Sequence, residues 1–297
     1  MVKFILFHEG ESKYVDNCLI NIKKNNFDYI FLNNSKIIDK YSKTWKEFEK
    51  KYKHFSTNDY INELRCFKRW FVIKEYCEFN EISKFWVLDS DVLLLKSFNS
   101  IKYKIEKKSN SALYFSNQNE SNFQWSVAPH VGYWIYKDIS EFVNFILHTY
   151  TENISVFDPK IQFHIKNKIN GGINDMTLIY LFTKTKQKNY FQNIYEISLK
   201  KQIYLDMNFN TSEMFYLNEF KMNKLGTAKK IILKGEKFFF INSFNKLCEV
   251  GLIHFSGKSK KYLFYYSNSN LFNSILFIFF PLVYFTFINI NKLWKKI

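Results

Sequence analysis

Two aspartates one residue apart, Asp89-Ser90-Asp91, close the apolar run Phe85-Trp86-Val87-Leu88 and precede Val92-Leu93-Leu94-Leu95. In extended backbone, residues i and i+2 face the same side, so two anions would confront each other. Burying such a pair is costly unless a cation lies between them. A divalent ion such as magnesium, which takes oxygen ligands and shares them with substrate phosphates, meets that need. The alternative is a solvated Asp-Ser-Asp turn between two strands. The hydrophobic flanks weigh against it.

Three further clusters carry reactive or ligand-binding residue types. Among 43 basic residues only Arg65 and Arg69 are arginine. Four apart, they share a helix face, and guanidinium offers a planar fork for carboxylate or phosphate that lysine cannot mimic. Glu63 could pair with them instead on a solvated face. The segment His254-Phe255-Ser256-Gly257-Lys258-Ser259-Lys260 follows the apolar run Gly251-Leu252-Ile253. There a histidine can complete a metal site begun by carboxylates, a glycine allows close backbone approach, and lysines neutralise phosphate. Gly171-Gly172-Ile173-Asn174-Asp175 reads either as a capped helix start or as an exposed Asp175 able to hold sugar hydroxyls. Pro129-His130-Val131-Gly132 is a weaker signal, equally consistent with a strand entered from a proline turn.

These residues need a scaffold. Val2 to Phe7 reads as a first strand ending at His8-Glu9-Gly10, with a helix from about Lys13 to Lys24 and a strand from Asp28 to Leu32. A β-α-β start of this kind predicts a parallel sheet with a nucleotide pocket at its strand ends. Tyr41 to Asp59 is expected to be partly helical. Asn58 or Asp59 caps a helix running to about Phe79. Strands are predicted from Phe85, at 112–116, 131–136, 237–241 and 251–255, and helices from Ile139 to Tyr150 and from about Asn174 to Phe182. No internal repeat or linker divides the chain.

The 297 residues are 47% hydrophobic and 20% aromatic, enough for a sizeable core, and carry a formal net charge of +16. Such a charge favours anionic ligands or an anionic membrane surface. No zinc-finger spacing, basic heptad region or RNA-binding aromatic signature is present, so a nucleic-acid partner is not expected. Cys18, Cys66, Cys77 and Cys248 form no C-x-x-C pair and read as reduced, mostly buried thiols. The amino terminus lacks a signal-type apolar core, and a cytosolic location follows as an expectation.

Taken in order, these segments resemble a GT-A fold glycosyltransferase of the family 8 type. The likeness rests on the nucleotide-binding start, an arginine roughly twenty residues upstream of the D-x-D, the aspartate-bearing helix and a late H-F-x-G-x-x-K turn matched by His254, Gly257 and Lys260. It covers most of residues 1–265. Asn174-Asp175 stand where that family carries D-Q-D. The resemblance implies an α/β, Rossmann-like mixed central sheet flanked by helices, and transfer from a nucleotide-diphosphate donor such as a UDP-sugar, with retention of configuration. It further implies manganese or magnesium at Asp89, Asp91 and His254, with Ser90 between the acids. His8, Glu9 and Gly10 would line the base pocket, and Gly257 and Lys260 would serve the diphosphate. Arg69 and Asp175 would orient sugar or acceptor, with Asp91 at the catalytic centre.

Residues 266–297 form a separate expectation. Between Tyr262 and Asn291 no residue is charged, and lysines flank the run on both sides. It is expected to associate with a membrane, lying on or re-entering its cytosolic face rather than spanning it, with oligomerisation as a further possibility. A glycan or lipid-linked acceptor suits such a location. Two competing readings remain: a nucleotidyltransferase, which would carry a glycine-rich basic loop after its first strand, and a non-catalytic, basic membrane-bound interaction protein.

Overall fold

The computed structural model describes residues 2–115, 120–212 and 218–267. Strand β1 (Phe4–Phe7), helix α1 (Lys13–Lys24) and strand β2 (Tyr29–Leu32) form the expected opening unit, with β1 and β2 parallel. The segment that follows is partly helical as expected, with α3 (Lys43–Glu49) preceded by an unanticipated α2 (Ser35–Lys40), and the two pack Ile38, Trp45 and Phe48 inward. Helix α4 (Tyr60–Phe79) starts where its sequence indicated: the Asp59 carboxylate accepts from the Asn62 amide at 2.9 Å. That satisfies one of the amides left unpaired at a helix start.

Strand β3 (Lys84–Leu88) joins β1 in parallel and is central to the molecule. Its alternate residues serve two cores. Trp86 and Leu88 pack with α1 and with the later strands, while Phe85 and Val87 pack on the α4 side. Fully burying side chains of this size stabilises by about 1.5–3 kcal/mol each. After Asp91 the chain leaves this sheet: β4 (Val92–Leu94) belongs to another, and α5 (Phe98–Glu106), which the sequence reading did not include, follows.

Strand β6 (Val127–Ile135) extends the first sheet antiparallel to β3, and β5 (Ala112–Phe115) pairs antiparallel with β6 on its far side. Pro129, expected in a turn, lies inside β6. Relative to β5 the register slips between Leu113 and Tyr114, so that Pro129 to Val131 have no partners on that strand. A residue without an N–H is tolerated at such a bulge. Helices α6 (Tyr136–Thr151), α7 (Asp158–Asn167) and α8 (Asp175–Lys184) cover the α4 side. Strand β7 (Gln192–Asn193), helix α9 (Ile194–Lys200) and strand β8 (Ile203–Leu205) lead into the second sheet. That sheet is completed by β9 (Ile231–Lys234), β10 (Lys237–Ile241) and β11 (Leu247–His254).

The first sheet has the order β2-β1-β3-β6-β5-β7 and mixes parallel with antiparallel pairs, flanked by helices as anticipated; the second runs β4-β11-β10-β9 with β8 also on β11. Because β2 and β3 lie on opposite sides of β1, the ends of β1 and β3 open onto a topological switch point, where α/β sheets bind ligands. Helix α10 (Leu263–Ser267) packs against α1, with Ser267 Oγ 3.3 Å from Asn17 Oδ1. No helix among the described residues is long and apolar enough to cross a membrane. The membrane-associating run expected in 266–297 falls, from residue 268 onward, outside those residues.

Candidate active site at the junction of two sheets

The Asp-Ser-Asp tripeptide is the bridge between the sheets. The Asp89 amide donates to the His130 carbonyl at 3.0 Å, which continues the β3–β6 ladder. The Asp91 carbonyl accepts from the Phe255 amide at 2.9 Å, which continues β4–β11. In that ladder His254 pairs with Val92, so register alone brings the histidine beside Asp91. Ligand atoms of Asp89, Asp91 and His254 all lie within 4.8 Å of one another, the only such group among the described residues.

Each member is held by a different neighbour. His254 Nδ1 bonds the Met207 carbonyl at 2.7 Å, leaving Nε2 toward Asp91 Oδ1 at 3.4 Å. That carboxylate oxygen is buried without a hydrogen-bond partner, so the imidazole contact is an ion pair rather than an aligned bond. Lys260 Nζ reaches the other oxygen, Asp91 Oδ2, at 3.0 Å and lies near Tyr14. Burial pushes the Asp91 carboxyl up, but His254 and Lys260 outweigh it and hold the group below the usual carboxylate range. Burial lowers His254, yet Asp91 and Asp89 prevail and push it up to about 9. Asp89 moves the other way: burial raises it, despite Arg69, and the neighbouring Asp91 adds to the rise.

Arg69 braces this cluster from the first sheet's helical side. Its two terminal nitrogens bond Asp89 and Asp175, and Trp70 Nε1 adds a bond to Asp175 Oδ2 at 3.0 Å. Asp175 is the first residue of α8, where an anion complements the helix dipole. Its cap, Asn174, accepts from the Thr177 amide at 3.0 Å. The loop before it needs glycine: Gly172 has φ +149, and a Cβ there would meet the Phe55 carbonyl oxygen at 2.0 Å.

The structure brings Asp89, Asp91, His254, Lys260, Arg69, Asp175, His8 and Ser90 together, with four differences from the sequence reading. Asp175, expected to be exposed, is buried beneath Arg69 and Trp70. Arg69 spends both terminal nitrogens on carboxylates, while Arg65, one turn away, is exposed and lies 3.8 Å from Glu9. Glu9 also bonds Lys68 at 2.6 Å, so its carboxylate turns to α4. Glu63 is buried and accepts from Asn58 and Ser56 rather than pairing with either arginine. His8 does face the cluster: its Nδ1 is 3.0 Å from Ser90 Oγ, joining the ends of β1 and β3. Gly10 sits at the following turn. Gly257 has φ +54, a left-handed conformation that starts the tight turn over Gly257–Tyr262 and aims Lys260 back at Asp91.

Sequence reasoning missed several groups. His130 was part of a weak signal; its ring stacks on His254 with centroids 4.6 Å apart and planes 2° from parallel. Burial pulls His130 down, and its Nε2 has no partner. Asp206 and Lys229, both fully buried, pair at 2.7 Å directly behind His254. Asp206 follows a short apolar strand, the same pattern that marked Asp89, whereas Lys229 has no local signal among so many lysines. The four cysteines are unpaired.

The donor set fits a hard divalent cation: two carboxylates, one with an orphan buried oxygen, and an imidazole whose other nitrogen is already committed.

No protein-family model and no curated protein matches the sequence. The fold is similar to mouse xyloside xylosyltransferase 1 in its apo form, with TM-score 0.42 and 8% identity over 65% of this chain and 84% of that one. It is also similar to a glycosyltransferase involved in glycosylation of the major capsid of PBCV-1, with TM-score 0.41 and 11% identity over 89% of this chain and 98% of that one. Both scores lie below 0.5, and no function follows from likenesses this distant.

Proposed function

We propose that this chain is a metal-dependent glycosyltransferase that moves a sugar from a nucleoside diphosphate donor, a UDP-sugar by preference, to a hydroxyl of a glycan or lipid-linked acceptor. The observation that carries the reading is the buried Asp91 Oδ1, without a hydrogen-bond partner and within 4.8 Å reach of Asp89 and His254, at the switch point of the sheet. Asp89, Asp91 and His254 would hold manganese or magnesium, which when bound supplies positive charge for a departing diphosphate. Lys260, the more exposed cation of the cluster, neutralises phosphate oxygens beside it. Arg69 acts as a positioning residue that fixes Asp89. His8 and Ser90 form the wall on the β1 side.

Turnover of a panel of UDP-sugars, read as UDP release with manganese, tests this. Wild type should release UDP and lose the activity to chelator; Asp91→Asn should lower it at least about 100-fold with unchanged circular dichroism. A fully active variant, or activity indifferent to chelator, removes the metal argument. Pyrophosphate release from a nucleoside triphosphate and a sugar phosphate would replace transfer with nucleotidyl transfer. The +16 charge and the apolar run beyond residue 267 support an acceptor held at an anionic membrane surface. Flotation with anionic but not neutral vesicles is the expected outcome; no flotation with either would remove that part of the reading.

A further inference from the structure

We propose that the buried Asp206–Lys229 pair is the positioning device that presets His254 as a metal ligand. The inference rests on the metal-site reading above and extends it to residues that touch neither metal nor substrate. Asp206 follows β8 and is fully buried, as is Lys229. Asp206 Oδ1 takes Lys229 Nζ at 2.7 Å, and its Oδ2 takes the His254 amide at 3.2 Å. Lys229 Nζ also donates to the Asn208 carbonyl at 2.6 Å. The residue between these anchors, Met207, offers its carbonyl to His254 Nδ1 at 2.7 Å. The Phe209 amide then donates to the His254 carbonyl at 3.0 Å, and the Phe209 carbonyl accepts from the Lys229 amide at 2.9 Å.

The segment 206–209 is therefore pinned on both sides of the one carbonyl that sets the histidine's orientation. A buried ion pair is a poor way to gain stability, because apolar residues of similar volume do as well or better. Removing two charges from water at this position is understandable if they fix something else. What they fix is the direction of Met207 C=O, hence the proton on Nδ1 and the free Nε2 aimed at Asp91. Outer partners of this kind tune metal affinity by roughly 10–100-fold.

The test is manganese binding by the full chain, followed by electron paramagnetic resonance, with 14N spin-echo modulation reporting imidazole ligation. Asp206→Asn, and the apolar replacement Asp206→Leu with Lys229→Met, should weaken Mn2+ binding roughly 10-fold or more and diminish the 14N modulation. The double variant guards against a folding defect, since it leaves no unpaired buried charge. Asp138→Asn is the control for general destabilisation: Asp138 is buried and bonds Ser111 and Tyr190, none of them in the cluster. It should leave affinity and modulation unchanged. Wild-type affinity and modulation in both Asp206 variants, or equal weakening in the control, overturn the inference while leaving the metal site standing. A wild-type protein that binds no manganese removes the site and the inference together.

Discussion

Arg69 binds Asp89 at one end of its guanidinium and Asp175 at the other, so a single side chain ties the end of β3 to the start of α8. Lysine, a point charge, can satisfy only one of them. Arg69→Lys should therefore leave a buried carboxylate short of a partner and lower stability by roughly 2–3 kcal/mol in urea unfolding. Unchanged stability would mean that the brace is idle. Arg69 was legible because arginine is scarce here, and Asp89 and Asp91 because acids at the end of an apolar run are out of place. His254 and Lys260 stood out for the same reason, a polar cluster closing an apolar strand. Asp206 carried a local signal, an acid after a short apolar strand, but Lys229 carried none: their pairing is a contact across more than twenty residues, and neither the spacing nor the residue types near Lys229 distinguish it from its neighbours. Asp175 was read as exposed since nothing local announces the Trp70 and Arg69 that cover it.

Helix α7 meets α8 through Lys160, whose amine bonds Thr177 Oγ1 at 3.0 Å next to the Asn174 cap. Burial pulls that amine down to about 8. In the unfolded chain an ordinary lysine titrates near 10.5, so between these values the unfolded state binds more protons. This group therefore adds stability as pH rises through that window, and below it the penalty is constant. Between about pH 7.5 and 9.5 the stability of wild type should gain about 1–2 kcal/mol relative to Lys160→Met, measured by urea unfolding of both. Parallel pH profiles would sink the argument. At this scale the sequence was most transparent where one signal acted alone: α1 and α4 appear with the anticipated bounds, set by apolar spacing and the Asp59 cap. Helix α7 has weaker apolar spacing, and its start signal, Pro159 after Asp158, was passed over. The extent of β6 differs from the expectation because Pro129 lies in a bulge set by the pairing with β5, a partner distant in the sequence.

Across the whole molecule the cluster counts three carboxylates, Asp89, Asp91 and Asp175, against Arg69, Lys260 and a protonated His254. Those formal charges cancel. Ligation of a divalent cation by His254 would displace that proton and leave the cluster one charge positive, whereas a diphosphate alone would face the acids unshielded; each therefore favours binding of the other. Manganese and UDP should then raise the melting temperature by more than the sum of their separate effects, with roughly 2.7 kcal/mol expected at a hundredfold excess over Kd. Strictly additive shifts would contradict this. The division of the chain into two sheets was hidden in the sequence, where residues 85–95 read as one apolar stretch interrupted by acids. That interruption has a mechanical meaning. Asp89 is tethered to one sheet and Asp91 to the other, with a single serine between them. Any slide or rotation of one layer past its neighbour must alter the gap between the two acids first, so the tripeptide works as a gauge of the fold's own alignment.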